Sequence, residues 1–171
     1  MRVGGIQYKI MTDNRKQKTE NTTSHDHWMT IALSEAQEAA SKDEIPVGAV
    51  LVKDNVLILK NHNRTNQTQN PLAHAEMLIL NEIQQTEKHL QGYTLYVTLE
   101  PCLMCSGAII LSRLSTLVFG TLDPKTGVVG SIYNVMVDKH FNHHPEVISG
   151  IRQEECSKIL KDFFQAKRNG S

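Results

Sequence analysis

Residues 98–110, TLEPCLMCSGAII, place two of the chain's three cysteines three residues apart, directly behind a proline and ahead of an apolar run. Three cysteines are too few and too unevenly spread for a disulfide framework, so a Cys-x-x-Cys pair reads first as metal-binding or redox chemistry in a reducing compartment. Pro101 suits a helix start, and thiols on a first helical turn meet exposed backbone N–H groups that favour thiolate over thiol. Cys102 and Cys105 are therefore paired metal ligands or a thioredoxin-like redox couple, and the pair taken alone leaves both open.

The deciding residues lie upstream. PLAHAEMLIL, residues 71–80, opens a second helix with His74 and Glu76 at its start and Pro71 as the preceding breaker. Three ligands, His74, Cys102 and Cys105, leave a tetrahedral zinc ion one open position, which is the catalytic rather than the structural arrangement. Zinc lowers the pKa of a water held there towards about 7, producing a hydroxide nucleophile. Glu76 does not share a helix face with His74 and is free to shuttle protons instead of binding metal. Cys156, inside the last amphipathic segment, suits a buried thiol; as a fourth ligand it would close the site and leave Glu76 without a task. His140, His143 and His144 in DKHFNHHPEV read as a histidine-rich loop facing solvent or RNA rather than as a second metal cluster.

The rest of the chain supplies the frame. With 171 residues it is one ordinary domain in size. Lysine plus arginine (18) balance aspartate plus glutamate (18), so bulk charge does not mark a sequence-blind nucleic-acid binder or a membrane-surface protein. No apolar stretch approaches the roughly 20 residues needed to span a bilayer, and the expectation is a soluble, cytoplasmic protein. Residues 1–24 are polar, carry Arg2, Lys9, Arg15, Lys16 and Lys18, and lack sustained periodicity, so they read as a disordered arm ahead of a domain over 25–171. Their basic bias also fits an organelle-targeting leader, although acids are present, and Met11 is an alternative start.

Periodicity predicts a helix from Asp26, its N-cap, through Met29, Ala32, Leu33, Ala36 and Ala40. Short apolar runs at 46–53 and 56–62 around Asp54-Asn55 predict a hairpin, and 93–99 and 115–121 are further strands. Helices are predicted at 74–87, 102–112 and 151–168, the last with Ile151, Ile159, Leu160, Phe163 and Phe164 on one face. Strands alternating with helices give an α/β layered domain. NRTNQTQNP, 63–71, is the one long polar loop inside it and a place to look for function.

His74-x-Glu76 followed by Pro101-Cys102-x-x-Cys105 resembles the signature of the zinc-dependent cytidine-deaminase superfamily. The blocks PVGAVLV, NHNR, AHAE, LYVTLEPCLMCSGAI, VFGTLDPKTGVVGS and NHHPEVISGIRQEECSKILKDFF, running from about His27 to Arg168, are similar to the bacterial tRNA-specific adenosine deaminases (TadA type) in particular. The resemblance implies a cytidine-deaminase-like three-layer α/β/α fold with a five-stranded mixed sheet, a homodimer and one zinc ion per subunit. It also implies conversion of adenosine to inosine at the wobble position of a tRNA anticodon stem-loop. His74, Cys102 and Cys105 would be the ligands and Glu76 the proton shuttle. Asn63 would bond the flipped adenosine, Val47 would pack on its base, and Asp123 would lie near the target ribose. As plain structural residues the same three are a loop-capping Asn, a core Val and a turn Asp. Asn70 and Leu72 depart from the family's usual Asp and Thr before AHAE, which bears on loop geometry rather than on the ligands. Lys158, Lys161, Lys167 and Arg168 give the last helix a basic end suited to phosphates, or simply a solvated terminus. The competing readings are a guanine or cytosine deaminase of nucleobase salvage, which would share the zinc site, and a non-enzymatic structural zinc module.

Overall fold

The computed structural model describes residues 14–170, with side chains from His25 onward. Five strands form one mixed sheet: β1 (Gly48–Lys53), β2 (Val56–His62), β3 (Tyr93–Leu99), β4 (Thr116–Thr121) and β5 (Glu146–Ser149), in the order β2-β1-β3-β4-β5. β1 runs antiparallel to both β2 and β3, while β3, β4 and β5 are mutually parallel. The hairpin turns on Asp54 and Asn55, both at positive φ (49° and 58°), a combination that matches the right-handed twist of the flanking strands. The predicted strands are all present. β5 is not among those predicted from the residues, because four residues of mixed polarity carry too little alternation to be seen.

Alternation along the central strands sorts side chains into two cores. Ala49, Leu51, Leu95, Val97, Leu117 and Phe119 face one side, where α3 (Ala75–Ile83) and α4 (Leu103–Leu111) pack through Ile79, Leu80, Ile109 and Ile110. Val50, Val52, Tyr96 and Val118 face the other, under α1 (Asn14–Ser41) and α5 (Gln153–Asn169), with Trp28, Met29, Ala32, Leu33 and Cys156 filling the space. The result is three layers, helix, sheet and helix, as the resemblance implies. Gly48 marks how closely α1 lies on β1: a Cβ there would sit 2.0 Å from the Ala32 carbonyl oxygen.

Two expectations change. Asp26 is not an N-cap but an interior residue of α1, whose carbonyl accepts from the Thr30 hydroxyl (2.7 Å). No glycine or proline interrupts 14–41, so nothing local stops the helix from starting upstream. The boundary expected at residue 24 therefore falls within the span of α1, and the first thirteen residues of the expected arm lie outside the described residues. The polar segment 63–71 is not wholly loop, since Thr65–Thr68 forms the short helix α2.

Candidate active site

His74 and Cys102 occupy equivalent places in the two helices of one layer. His74 is the N-cap of α3 and Cys102 the N-cap of α4, both with extended backbone, and Cys105 follows on the first turn of α4. Two helix N-termini converge, and their exposed N–H groups and dipoles favour negative charge between them. His74 Nδ1 lies 3.7 Å from Cys102 Sγ and 3.6 Å from Cys105 Sγ. Bond lengths of about 2.1 Å to nitrogen and 2.3 Å to sulfur in a tetrahedral zinc site require an N···S separation of about 3.6 Å. The donor atoms of all three residues lie within 4.8 Å of one another, and among the described residues this is the one group of His, Cys, Asp and Glu placed to hold a metal.

Cys102 and Cys105 titrate against each other. Hydrogen bonding with the Cys105 side chain brings the Cys102 thiol down to about 4 despite burial, with His74 acting in the same direction. The same contact, then burial and Glu76, pushes the Cys105 thiol up. The contact with Cys102 raises His74 against the opposing effect of burial. A coordinated metal takes thiolates, so binding displaces the remaining thiol proton.

Glu76 is 4 % exposed, and burial holds its carboxyl well above the ordinary carboxylate range. A carboxyl whose proton affinity is raised by burial, beside a metal-type donor set, is suited to general acid–base work.

His74, Glu76 and Cys102 open onto a cavity of about 830 Å³, which is also lined by Val47, Asn63 and Asp123. Each of these last three also serves the fold. Asn63 Oδ1 accepts from the Ala75 N–H (3.1 Å) and so caps α3, which lacks a cap from its own N-cap side chain. Val47 is buried in the main core. Asp123 Oδ1 accepts from the N–H groups of Lys125 (2.9 Å) and Thr126 (3.3 Å), and Oδ2 accepts from the Thr126 hydroxyl. Asn70 makes a tight turn ahead of AHAE, its Oδ1 accepting from Leu72 N–H (3.0 Å), so the departure at that position keeps a well-formed loop.

The far wall of the cavity belongs to α5. Leu160 and Phe164 line it beside Lys161 and Arg168. The apolar face predicted for this helix is therefore divided: Ile151 and Ile159 pack on the sheet with Cys156, while Leu160 and Phe164 border the cavity. The basic end divides too, since Lys158 pairs with Asp162 and Lys167 with Asp43.

Cys156 is not a fourth ligand. It is buried against Gly120 in the opposite layer, where burial raises its thiol to about 12. The histidine-rich segment is held by two local bonds, His140 to Asp138 (2.7 Å) and His144 Nδ1 to the Met136 carbonyl (2.8 Å), and by a distant one, His143 Nε2 to the Leu114 carbonyl (2.6 Å).

Sequence reasoning missed two buried acids. Glu44 accepts from the N–H groups of Asn66 (3.1 Å) and Gln67 (2.6 Å), anchoring α2 at the edge of the segment that carries Asn63. Glu100, next to Pro101, holds the segment that carries Asp123. An acid at the end of an apolar strand was the available signal in the second case.

Residues 23–168 match the family model of the MafB19-like deaminases. The chain is 45 % identical over 148 residues to a tRNA-specific adenosine deaminase of Bacillus subtilis, covering 85 % of this chain and 92 % of that one. It is 42 % identical over 146 residues to a protein of the same name from Aquifex aeolicus, covering 84 % and 96 %. A solved structure from work on A-to-I editing by tRNA:A34 deaminases at the wobble position of transfer RNA aligns with a TM-score of 0.75 at 40 % identity, covering 78 % of this chain and 99 % of the other. A guanine deaminase from Nitrosomonas europaea aligns with a TM-score of 0.70 over 81 % of this chain and 83 % of the other, but at 22 % identity it shows a common fold alone.

Proposed function

The chain belongs to the tRNA-specific adenosine deaminases, and on that premise we propose that it hydrolyses adenosine to inosine at the wobble position of a tRNA anticodon, with zinc held by His74, Cys102 and Cys105. The observation that carries this reading is the approach of one imidazole and two thiols at tetrahedral zinc spacing beside the buried acid Glu76. Zinc, when bound, supplies a Lewis acid that makes water nucleophilic near neutral pH.

The chain's own residues do the rest. Glu76 takes one proton from the attacking water and gives it to the adenine ring nitrogen, then takes the second from the hydroxyl now on C6 and gives it to the amino group as the C6–N bond breaks, so that adenosine and water become inosine and ammonia. Asn63, whose carboxamide oxygen already caps α3, turns its amide hydrogens to the base. Val47 packs on the ring and Asp123 stands at the ribose. An anticodon-loop base is already unpaired, which reduces the cost of bringing it into a pocket. Lys161 and Arg168, on the cavity rim, hold flanking phosphates.

The active form is a homodimer. α4 presents Leu103 (65 % exposed) and Leu111 (80 % exposed) on either side of Gly107, each about one helical turn from it, and among the described residues no neighbour fills the space of a side chain at that glycine. An apolar helix face with a bare centre suits close approach by a second copy. Among the described residues no helix is long and apolar enough to cross a membrane, and three free cysteines fit a reducing cytoplasm.

The test incubates purified protein with an anticodon stem-loop carrying wobble adenosine and, separately, with guanine, cytosine and free adenosine. Inosine from the stem-loop alone is expected. Ammonia from a free base would move the protein to nucleobase salvage, and silence from every substrate would return the site to a structural zinc module.

A further inference from the structure

Glu100 has no part in the chemistry above, yet it is 2 % exposed and stands between β3 and Cys102. Its Oε1 accepts from the N–H groups of Val129 (2.8 Å) and Ser131 (3.0 Å). Its Oε2 accepts from the Asp123 N–H (2.9 Å) and from the Ser131 hydroxyl. All these donors come from 123–131, whose first residues wall the cavity. The segment closes tightly over the carboxylate, for a Cβ at Gly127 would lie 2.4 Å from Glu100 Cδ and Oε2. The backbone repeats the connection: Val128 N–H donates to the Pro101 carbonyl (3.2 Å), and Cys102 forms a β-bridge with Gly127.

We propose that Glu100 is a positioning residue that fixes the 122–131 segment, and Asp123 with it, against the Cys102–Cys105 ligand pair. Substrate wall and metal ligands then keep one geometry through a single carboxylate. The proposal rests on reading Asp123 as a substrate-facing residue. Chemistry dictates the residue type: two oxygens accept two donors each, and none of those bonds asks the side chain for a hydrogen. A carboxamide would turn its own N–H groups against backbone N–H groups, and an aspartate would fall one methylene short.

Glu100→Gln in the full-length, zinc-loaded protein tests this. Zinc stoichiometry is expected to match the wild type. Hydrogen exchange across 122–131 should accelerate by about tenfold or more, the scale of removing a bond to a charged acceptor. With the wobble-adenosine stem-loop, KM should rise about tenfold while kcat changes less, and adding Glu100→Gln to Asp123→Ala should cost little beyond Asp123→Ala alone, since both act through one interaction. A residue that merely stabilised the fold would lower the melting temperature and leave the two effects multiplicative. If Glu100→Gln does not fold, Ser131→Ala, which removes one donor, should give the same exchange and KM changes in smaller degree. Unchanged exchange with unchanged KM in whichever variant folds would overturn the proposal, as would multiplicative effects. Exchange needs no substrate, so a wild-type protein inactive on the stem-loop would overturn the functional reading while the hold of Glu100 on the segment is still decided.

Discussion

At Cys102 and Cys105 hydrogen bonding between two thiols drives one down to about 4 against the effect of its burial and the other up, where burial adds to the rise. Glu76 meets a different condition. It is buried two residues from His74, and desolvation outweighs the influences that would keep it charged. A structural zinc site has no use for a buried acid in that state, whereas a hydrolytic one needs a group that both takes and returns a proton. Glu76→Gln is therefore expected to keep fold and zinc and to lose about 10²–10⁴-fold in turnover, read by metal analysis and inosine quantification on the same sample. Full activity in this variant would remove Glu76 from the mechanism.

Among the elements, α5 does the most that its residue pattern did not announce. It covers the sheet with Ile159 and Cys156, borders the cavity with Leu160 and Phe164, and places Lys161 and Arg168 on the rim. Lys158 and Lys167 already have carboxylate partners. Lys161→Glu with Arg168→Glu is expected to weaken stem-loop binding and to lower the slope of log affinity against log salt by about one for each phosphate no longer neutralised. Titrations at several salt concentrations read this, and an unchanged slope would mean that neither side chain meets phosphate. α4 carries a comparable double duty, with Cys102 and Cys105 at its start and an exposed Leu103–Gly107–Leu111 face along its length.

On the scale of the whole molecule, the sheet order sets β2, β1, β3 and β4 side by side, and the site forms where segments enter or leave them: Val47 just before β1, Asn63 just after β2, Cys102 just after β3 and Asp123 just after β4. α3 and α4 lie in one layer, so a surface that joined two copies through α4 would adjoin the ligands. Leu103→Glu with Leu111→Glu should therefore turn a dimer into a monomer, measured by sedimentation, and reduce stem-loop turnover. A wild-type protein that sediments as a monomer would refute the homodimer directly.

What the sequence determined by itself was a set of candidate donors and the period of the elements. A histidine, a glutamate and two cysteines at helix starts offer a candidate ligand set and proton carrier, because donor type belongs to the side chain. The apolar run of β1, the β-branched and aromatic residues of β3 and the helical spacing at α3 and α4 were equally legible, since the pattern that marks each of them spans only a few positions. Tertiary structure alone decided the rest. It showed that Asp26 lies inside α1 rather than at its start, that β5 pairs with β4, that Cys156 lies in the opposite layer from His74, Cys102 and Cys105, and that Glu44 and Glu100 are buried acceptors for backbone donors more than twenty residues away. Most of these depend on the approach of segments distant in the chain, whose closeness follows from packing two helical layers on one sheet and leaves no period in the sequence.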